Sequence, residues 1–187
     1  HKVYGPMGVG VLYGRRALLE AMPPFLTGGE MIESVKRESA VFAELPYKFE
    51  AGTCNAAGAA GLHAALDYVN TLGFNAMRAR ETALVRRAMD GMAALPYVHV
   101  LGSDRPEEHT GIVTFVVDGV HPHDVSEILA SDGVAVRAGH HCAQPLLEFL
   151  GHRSTVRASF AFYNTENDVD RLLDSLSSIR ERMGYGK

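Results

Sequence analysis

The stretch Val134-Ala-Val-Arg-Ala-Gly-His-His-Cys-Ala-Gln-Pro-Leu-Leu-Glu-Phe-Leu-Gly151, followed by Val156-Arg157-Ala-Ser-Phe-Ala-Phe162, decides how this chain is read. The apolar run from Val134 to Arg137 predicts a short strand, and Gly139 breaks it. In the second run Val156, Ala158, Phe160 and Phe162 share one face of a strand, leaving Arg157, Ser159 and Tyr163 on the other. Burial of the aromatic face therefore turns Arg157 towards a cleft or solvent. Between the two runs the chain delivers His140, His141 and Cys142. A thiol flanked by imidazoles, with Arg137 and Arg157 nearby, carries the chemistry of an activated sulfur nucleophile.

Working outward from this stretch, the C-terminal part reads as alternating elements. Asn75 can cap a helix whose Leu84, Ala88 and Met92 recur every four residues up to Pro96. Val98 to Leu101 and Ile112 to Val117 read as strands, with a charged turn at Asp104 to Glu108 between them. Pro122 opens a helix that buries Val125, Ile128 and Leu129 and stops at Gly133. Thr165-Glu-Asn-Asp168 starts a last helix, striped by Val169, Leu172, Leu173, Leu176, Ile179 and Met183. Residues 75–187 thus predict a small α+β domain, a largely antiparallel sheet covered by helices.

Residues 1–74 read differently. Tyr4 to Gly14 is a glycine-punctuated turn leading into a strand at Val9 to Tyr13, and Arg15 to Ala21 is a short helix ended by Pro23-Pro24. Thr27 to Ile32 is a loop, and Glu33 to Pro46 a hairpin or extended arm. From Ala56, Leu62, Ala65, Leu66, Val69 and Leu72 mark one face of a helix closed by Gly73. These pieces lack a core of their own and complete something else.

Composition narrows the function classes. Of 187 residues, 47% are apolar and 21% charged, with a net charge of −4, which is ordinary globular usage. Dispersed basic residues give no nucleic-acid footprint, and no apolar run approaches membrane-spanning length. With two cysteines, Cys54 and Cys142, the chain does not read as a disulfide framework, and free thiols in a reducing cytoplasm are the preferred reading. His1-Lys2-Val-Tyr-Gly-Pro shows no initiator methionine and reads like the middle of a protein. The expectation is a fragment, a processed chain or a truncation.

Several motifs, in register, now resemble one family. They are His1-Lys2 with Tyr4-Gly5-Pro6, Gly8-Val-Gly10, Leu12-Tyr13, and Gly28-Gly-Glu-Met-Ile32. They continue with Phe49-Glu-Ala-Gly-Thr53 and Asn55, Arg137-Ala-Gly-His-His-Cys-Ala-Gln-Pro145, Val156-Arg-Ala-Ser159 and Tyr163-Asn164. The chain resembles the C-terminal half of a SufS-like (group II, NifS-related) cysteine desulfurase, a pyridoxal-phosphate-dependent enzyme of the class V aminotransferase family. The fold the resemblance implies is α/β. Residues 1–74 would be the end of the large cofactor domain, and 75–187 the small α+β domain carrying the catalytic cysteine.

The resemblance also implies roles. Lys2 would hold pyridoxal 5'-phosphate as a Schiff base and later shuttle protons at the substrate Cα, and His1 would hydrogen-bond the cofactor phosphate. Thr53, with the backbone at Gly52, would reach the phosphate of a neighbouring subunit's cofactor, making a homodimer part of the active site. Arg157 would clamp the carboxylate of L-cysteine with its planar fork. Cys142 would take the sulfur as a persulfide and release L-alanine. A sulfur-acceptor protein would then draw that sulfur towards iron–sulfur cluster assembly. Arg137, His140 and His141 are candidate supports of the Cys142 loop, with direct substrate contact by Arg137 equally open. Two departures qualify the likeness. Cys54 stands where the family usually has proline, and the residues that stack on the cofactor ring precede the lysine in the family. This chain alone is therefore expected to bind cofactor poorly and to turn over little.

Competing readings remain. His140, His141 and Cys142, with His152, could hold a metal, but three consecutive residues do not converge easily on one tetrahedral ion. Selenocysteine lyase activity needs the same machinery. A non-catalytic fragment, acting as a sulfur relay or a dimerisation module, needs only the reactive thiol.

Overall fold

A computed structural model describes residues 2–185, and the chain divides into two compact units, 1–71 and 72–187. His1, assigned to the cofactor phosphate by resemblance, lies outside the described residues. No described helix is long and apolar enough to cross a membrane.

The first unit holds helix α1 (Arg16–Ala21), strands β1 (Ile32–Val35) and β2 (Ala40–Phe42), and helix α2 (Ala56–Leu72), whose last residue crosses the division. β1 and β2 pair antiparallel, with Val35 opposite Ala40 and Ile32 opposite Phe42, so the expected arm is a short hairpin. The strand expected at Val9 to Tyr13 does not form. This segment has no ladder with any described residue, and Val11 and Tyr13 are 80% and 91% exposed. Branched side chains favour extended backbone, but a strand also needs a neighbour to accept its hydrogen bonds. Met31 and Val69 are the buried hydrophobic residues here. Asn55 caps α2, its Oδ1 accepting from the Gly58 amide at 2.9 Å, while its Nδ2 donates to the Gly8 carbonyl at 3.1 Å. A Cβ at residue 58 would sit 2.4 Å from that side chain, so the cap requires glycine there.

The second unit runs α3 (Phe74–Ala93), β3 (Val98–Leu101), β4 (Ile112–Val117), α4 (Pro122–Ser131), β5 (Arg137–Gly139), α5 (Gln144–Phe149), β6 (Thr155–Ser159) and α6 (Glu166–Arg182). The sheet order is β3-β4-β6-β5, and every neighbouring pair is antiparallel. Strand alternation sends Val113, Phe115, Val117, Val156 and Ala158 to one face, which α3, α4 and α6 cover with Leu84, Met92, Leu129, Leu172, Leu176 and Ile179, all essentially buried. The expected antiparallel sheet under helices is what these residues build. At α6 the Thr165 side chain accepts from the Asp168 amide, and the Asp168 carboxylate accepts from the Thr165 amide, a full capping box.

Three local expectations change. α3 begins at Phe74 because Gly73, at φ 79°, both breaks α2 and sits at the N-cap, leaving Asn75 inside the first turn. Val134 to Val136 are not in the ladder. The Val134 amide bonds back to the Leu129 carbonyl at 2.9 Å, as the C-terminal cap of α4, and pairing with β6 starts only at Arg137. A further helix, α5, fills the gap before β6, and Pro145 in its first turn was the signal for it.

Candidate active site

The reactive loop grows out of the edge strand β5. Register places Arg137 opposite Arg157, and Arg157 opposite Thr114 on β4, so both guanidinium stems leave the sheet on the face away from the helices. Gly139, at φ 126°, then turns the chain, and the loop closes through the Ala143 amide on the His140 carbonyl at 2.9 Å before α5 begins. His141 and Cys142 occupy the left-handed region at φ 56° and 61°, a conformation that costs a residue with a Cβ and is retained where surroundings impose it. Cys142 is exposed and free of any disulfide, and the Arg137 guanidinium donates to its Sγ at 3.5 Å.

Arg137 thus contacts the sulfur directly. Arg157 is half-buried and different. Its Nε is fully shielded from solvent with no hydrogen-bond partner, a donor in need of an acceptor. His141 lies across the strand pair, its Nε2 within 2.8 Å of the Thr155 hydroxyl and 3.2 Å of the Thr155 carbonyl, while Nδ1 is buried without a partner. Burial of the ring holds its pKa below the ordinary 6.5, and the Arg157 charge pushes the same way. His140 is exposed and lines, with Gln144, Glu148, His152 and Arg153, a cleft of about 470 Å³. Among the described residues no group of three or more His, Cys, Asp or Glu side chains is arranged to hold a metal ion.

Lys2, Gly52 and Thr53 belong to the first unit. Lys2 is exposed, and its amine has no hydrogen bond or ion pair among the described residues. The Gly52 amide donates to the Gly29 carbonyl at 2.9 Å, so of the Gly52–Thr53 pair the uncommitted donors are those of Thr53. A Cβ at residue 28 would stand 3.1 Å from the Gly52 nitrogen, so a side chain there would crowd the Gly52 backbone. The Asn55–Gly8 bond ties the Thr53 loop to the turn that follows Lys2. A free amine and uncommitted hydroxyl and amide donors suit a phosphate-bearing aldehyde. Cys54, next to Thr53, donates to Glu50 Oε2 at 3.5 Å. That hydrogen bond first, then partial burial and the Glu50 and Glu30 charges, hold its thiol pKa above the ordinary range.

Thr155, on β6 beneath His141, is a contact of the Cys142 loop that sequence reasoning missed. Its signal was present, since Thr155 stands two residues before Arg157 and so shares its face of the strand.

Known proteins resemble this chain over most of its length. Residues 1–172 match the class-V aminotransferase family. The chain is 50% identical over 173 residues to a protein of Mycobacterium leprae strain TN named probable cysteine desulfurase 2, covering 92% of this chain and 41% of that one. It superposes with a TM-score of 0.91 on the cysteine desulfurase CsdA of Escherichia coli, at 42% identity, over 97% of this chain and 45% of that chain. On the apo cysteine desulfurase of Thermococcus onnurineus NA1 the TM-score is 0.90 at 40% identity, over 95% and 44%. The chain thus spans a little under half the length of the relatives it matches. A thiol-bearing loop on the edge of a helix-covered sheet, and an unbroken match through both units, lead to one assignment: the chain belongs to the class-V aminotransferase family.

Proposed function

We propose that this chain supplies the sulfur-accepting half of a pyridoxal-phosphate-dependent cysteine desulfurase. The enzyme converts L-cysteine to L-alanine and hands the sulfur from Cys142 to an acceptor protein of iron–sulfur cluster assembly. The observation that carries the reading is the Arg137 guanidinium on the Sγ of an exposed Cys142, on the same sheet face as an Arg157 whose Nε lacks a partner. The names of the relatives support the same reaction.

Pyridoxal phosphate, when bound, supplies the electron sink that makes the substrate Cα proton and then the C–S bond labile. Lys2 is the amine that would hold it, and Thr53 and His1 are the groups for its phosphate, Thr53 reaching across a homodimer. Arg157 receives the substrate carboxylate, which satisfies its orphaned Nε–H and fixes the side-chain sulfur in space. Lys2, once its amine is free, moves the proton at Cα. Cys142 Sγ attacks the substrate sulfur: an S–S bond forms, the C–S bond breaks, and its electron pair stays on the carbon, which takes up a proton. Cysteine and the Cys142 thiol become alanine and a Cys142 persulfide. Arg137 stands opposite the charge on the attacking sulfur and keeps it in place. The cleft beside His140 gives an acceptor thiol room to approach.

The test is alanine release from cysteine by the complete protein, wild type against Cys142→Ala, with mass spectrometry of the Cys142 peptide after alkylation. The expected result is a persulfide on Cys142 and near-complete loss of cysteine turnover in the variant. A Cys142→Ala protein with undiminished cysteine activity would remove the persulfide step. Activity on selenocysteine retained by that variant, with cysteine activity lost, would extend the substrate range to selenium.

A further inference from the structure

We infer that His141 and Thr155 form the latch that positions Cys142, with His141 acting as a neutral imidazole and therefore as a positioning residue. The catalytic consequence rests on the desulfurase reading; the latch itself does not.

Two consecutive non-glycine residues, His141 and Cys142, are held in left-handed conformations, so the loop needs an anchor that outweighs their strain. Among the described residues, two side-chain contacts tie it to the sheet. One is the Arg137–Cys142 contact at 3.5 Å, between exposed groups. The other is His141 on Thr155, whose side chain is wholly buried. Thr155 stands opposite Gly139 in the ladder, so the His141 ring reaches back over the strand pair from which the loop departs. This contact folds the loop onto the arginine face of the sheet.

The contact also selects a protonation state. A bare Nε2 lone pair facing the Thr155 carbonyl at 3.2 Å would be repulsive, so Nε2 carries the proton, shared between that carbonyl and the hydroxyl at 2.8 Å. Nδ1 is then an acceptor, buried and without a partner. A second proton would create a cation whose new N–H is shielded from solvent and meets no acceptor. The charged and titratable groups acting on the ring are Arg157 from β6, Arg137 from β5 and His140 in the loop, and no carboxylate is among them. Protonation therefore releases the latch. Because the folded ring titrates below the ordinary value, the latch is closed at neutral pH and opens as the pH falls beneath that value.

The experiment is hydrogen exchange of peptides covering 139–147 in the complete protein, corrected for intrinsic rates, at pH 7.5 and pH 5. It compares wild type, His141→Gln, His141→Ala and Thr155→Val. Glutamine keeps an N–H for Thr155 but cannot titrate. Wild type is expected to protect the loop at pH 7.5 and to lose protection at pH 5. His141→Gln should be protected alike at both, and the other two variants exposed at both. In turnover assays at pH 7.5, His141→Ala and Thr155→Val should slow sulfur transfer by about 10- to 100-fold, the range for ångström-scale misplacement, with KM for cysteine unchanged because Arg157 is intact. Equal protection in wild type and His141→Ala at pH 7.5, or equal acid loss in wild type and His141→Gln, overturns the latch. Absence of alanine formation by the wild type would sink the desulfurase reading while leaving the exchange result to stand or fall separately.

Discussion

Replacing Arg137 with glutamine removes the one cation that, among the described residues, touches the Cys142 sulfur, while leaving the sheet and Arg157 in place. The guanidinium lies 3.5 Å from Cys142 Sγ. Between a full positive and a full negative charge at that separation, Coulomb's law gives about 1 kcal/mol at the dielectric of water and about 5 kcal/mol at an effective value of 20. Both side chains are exposed, so solvent screens the pair and the lower end applies, about 1 to 2 kcal/mol, or roughly a 5- to 30-fold effect. Arg137→Gln in the complete, cofactor-loaded protein should therefore slow single-turnover sulfur transfer to Cys142 by that factor. KM for cysteine should stay within about twofold. Salt gives an internal control: raising ionic strength shortens the screening length to a few ångströms. The wild-type rate should fall towards that of the variant, and the variant should respond little. If Arg137→Gln transfers sulfur at the wild-type rate in low salt, the bracing role is wrong. If it raises KM with an unchanged rate constant, Arg137 binds substrate instead.

Further outcomes follow from neighbouring observations. Arg157→Lys loses the planar fork and the buried Nε–H, so KM for cysteine should rise about 10- to 100-fold, the value of one or two hydrogen bonds to a charged group, with little change in Cys142 alkylation. Cys54 is protonated further up the pH scale by Glu50 and Glu30, so iodoacetamide at pH 8 should modify it slowly. Glu50→Gln should speed that modification, and an unchanged rate would discard the electrostatic account. Thr165→Ala removes half of the α6 capping box and should cost about 1 kcal/mol in chemical denaturation. Its partner Asp168 has its pKa lowered, chiefly by the Thr165 amide, so its contribution is present above the ordinary carboxylate range and is lost as pH falls through the folded value. Asp168→Asn should flatten the acid side of the stability profile, as measured by denaturation midpoints between pH 7 and pH 3.

How far the sequence reaches is clearest at particular residues. Alternation alone put Val156 and Ala158 in the core and Arg157 on the opposite face, because a strand buried on one side has only two faces. The stripe of α6 and its capping box were equally readable, since both are set by residues within a few positions of one another. Cys142 stood out because Gly139 and two histidines break an apolar run, and the match to one family rested on short motifs kept in order along the chain. The sequence by itself thus determined the α+β architecture of the second unit and the family.

Tertiary structure decided the rest. Val9 to Tyr13 has strand-forming residues but no ladder among the described residues, and extended backbone is stabilised by neighbours distant in sequence. Register, which no local pattern specifies, brought Arg137 opposite Arg157 and Gly139 opposite Thr155. Only that pairing separated the two arginines, one bonded to Cys142 and one with a donor waiting for an acceptor, and only it put Thr155 under His141. The presence of a thiol at residue 142 is a local property of one residue type, whereas its surroundings come from side chains 5 to 15 positions away that the sheet brings side by side.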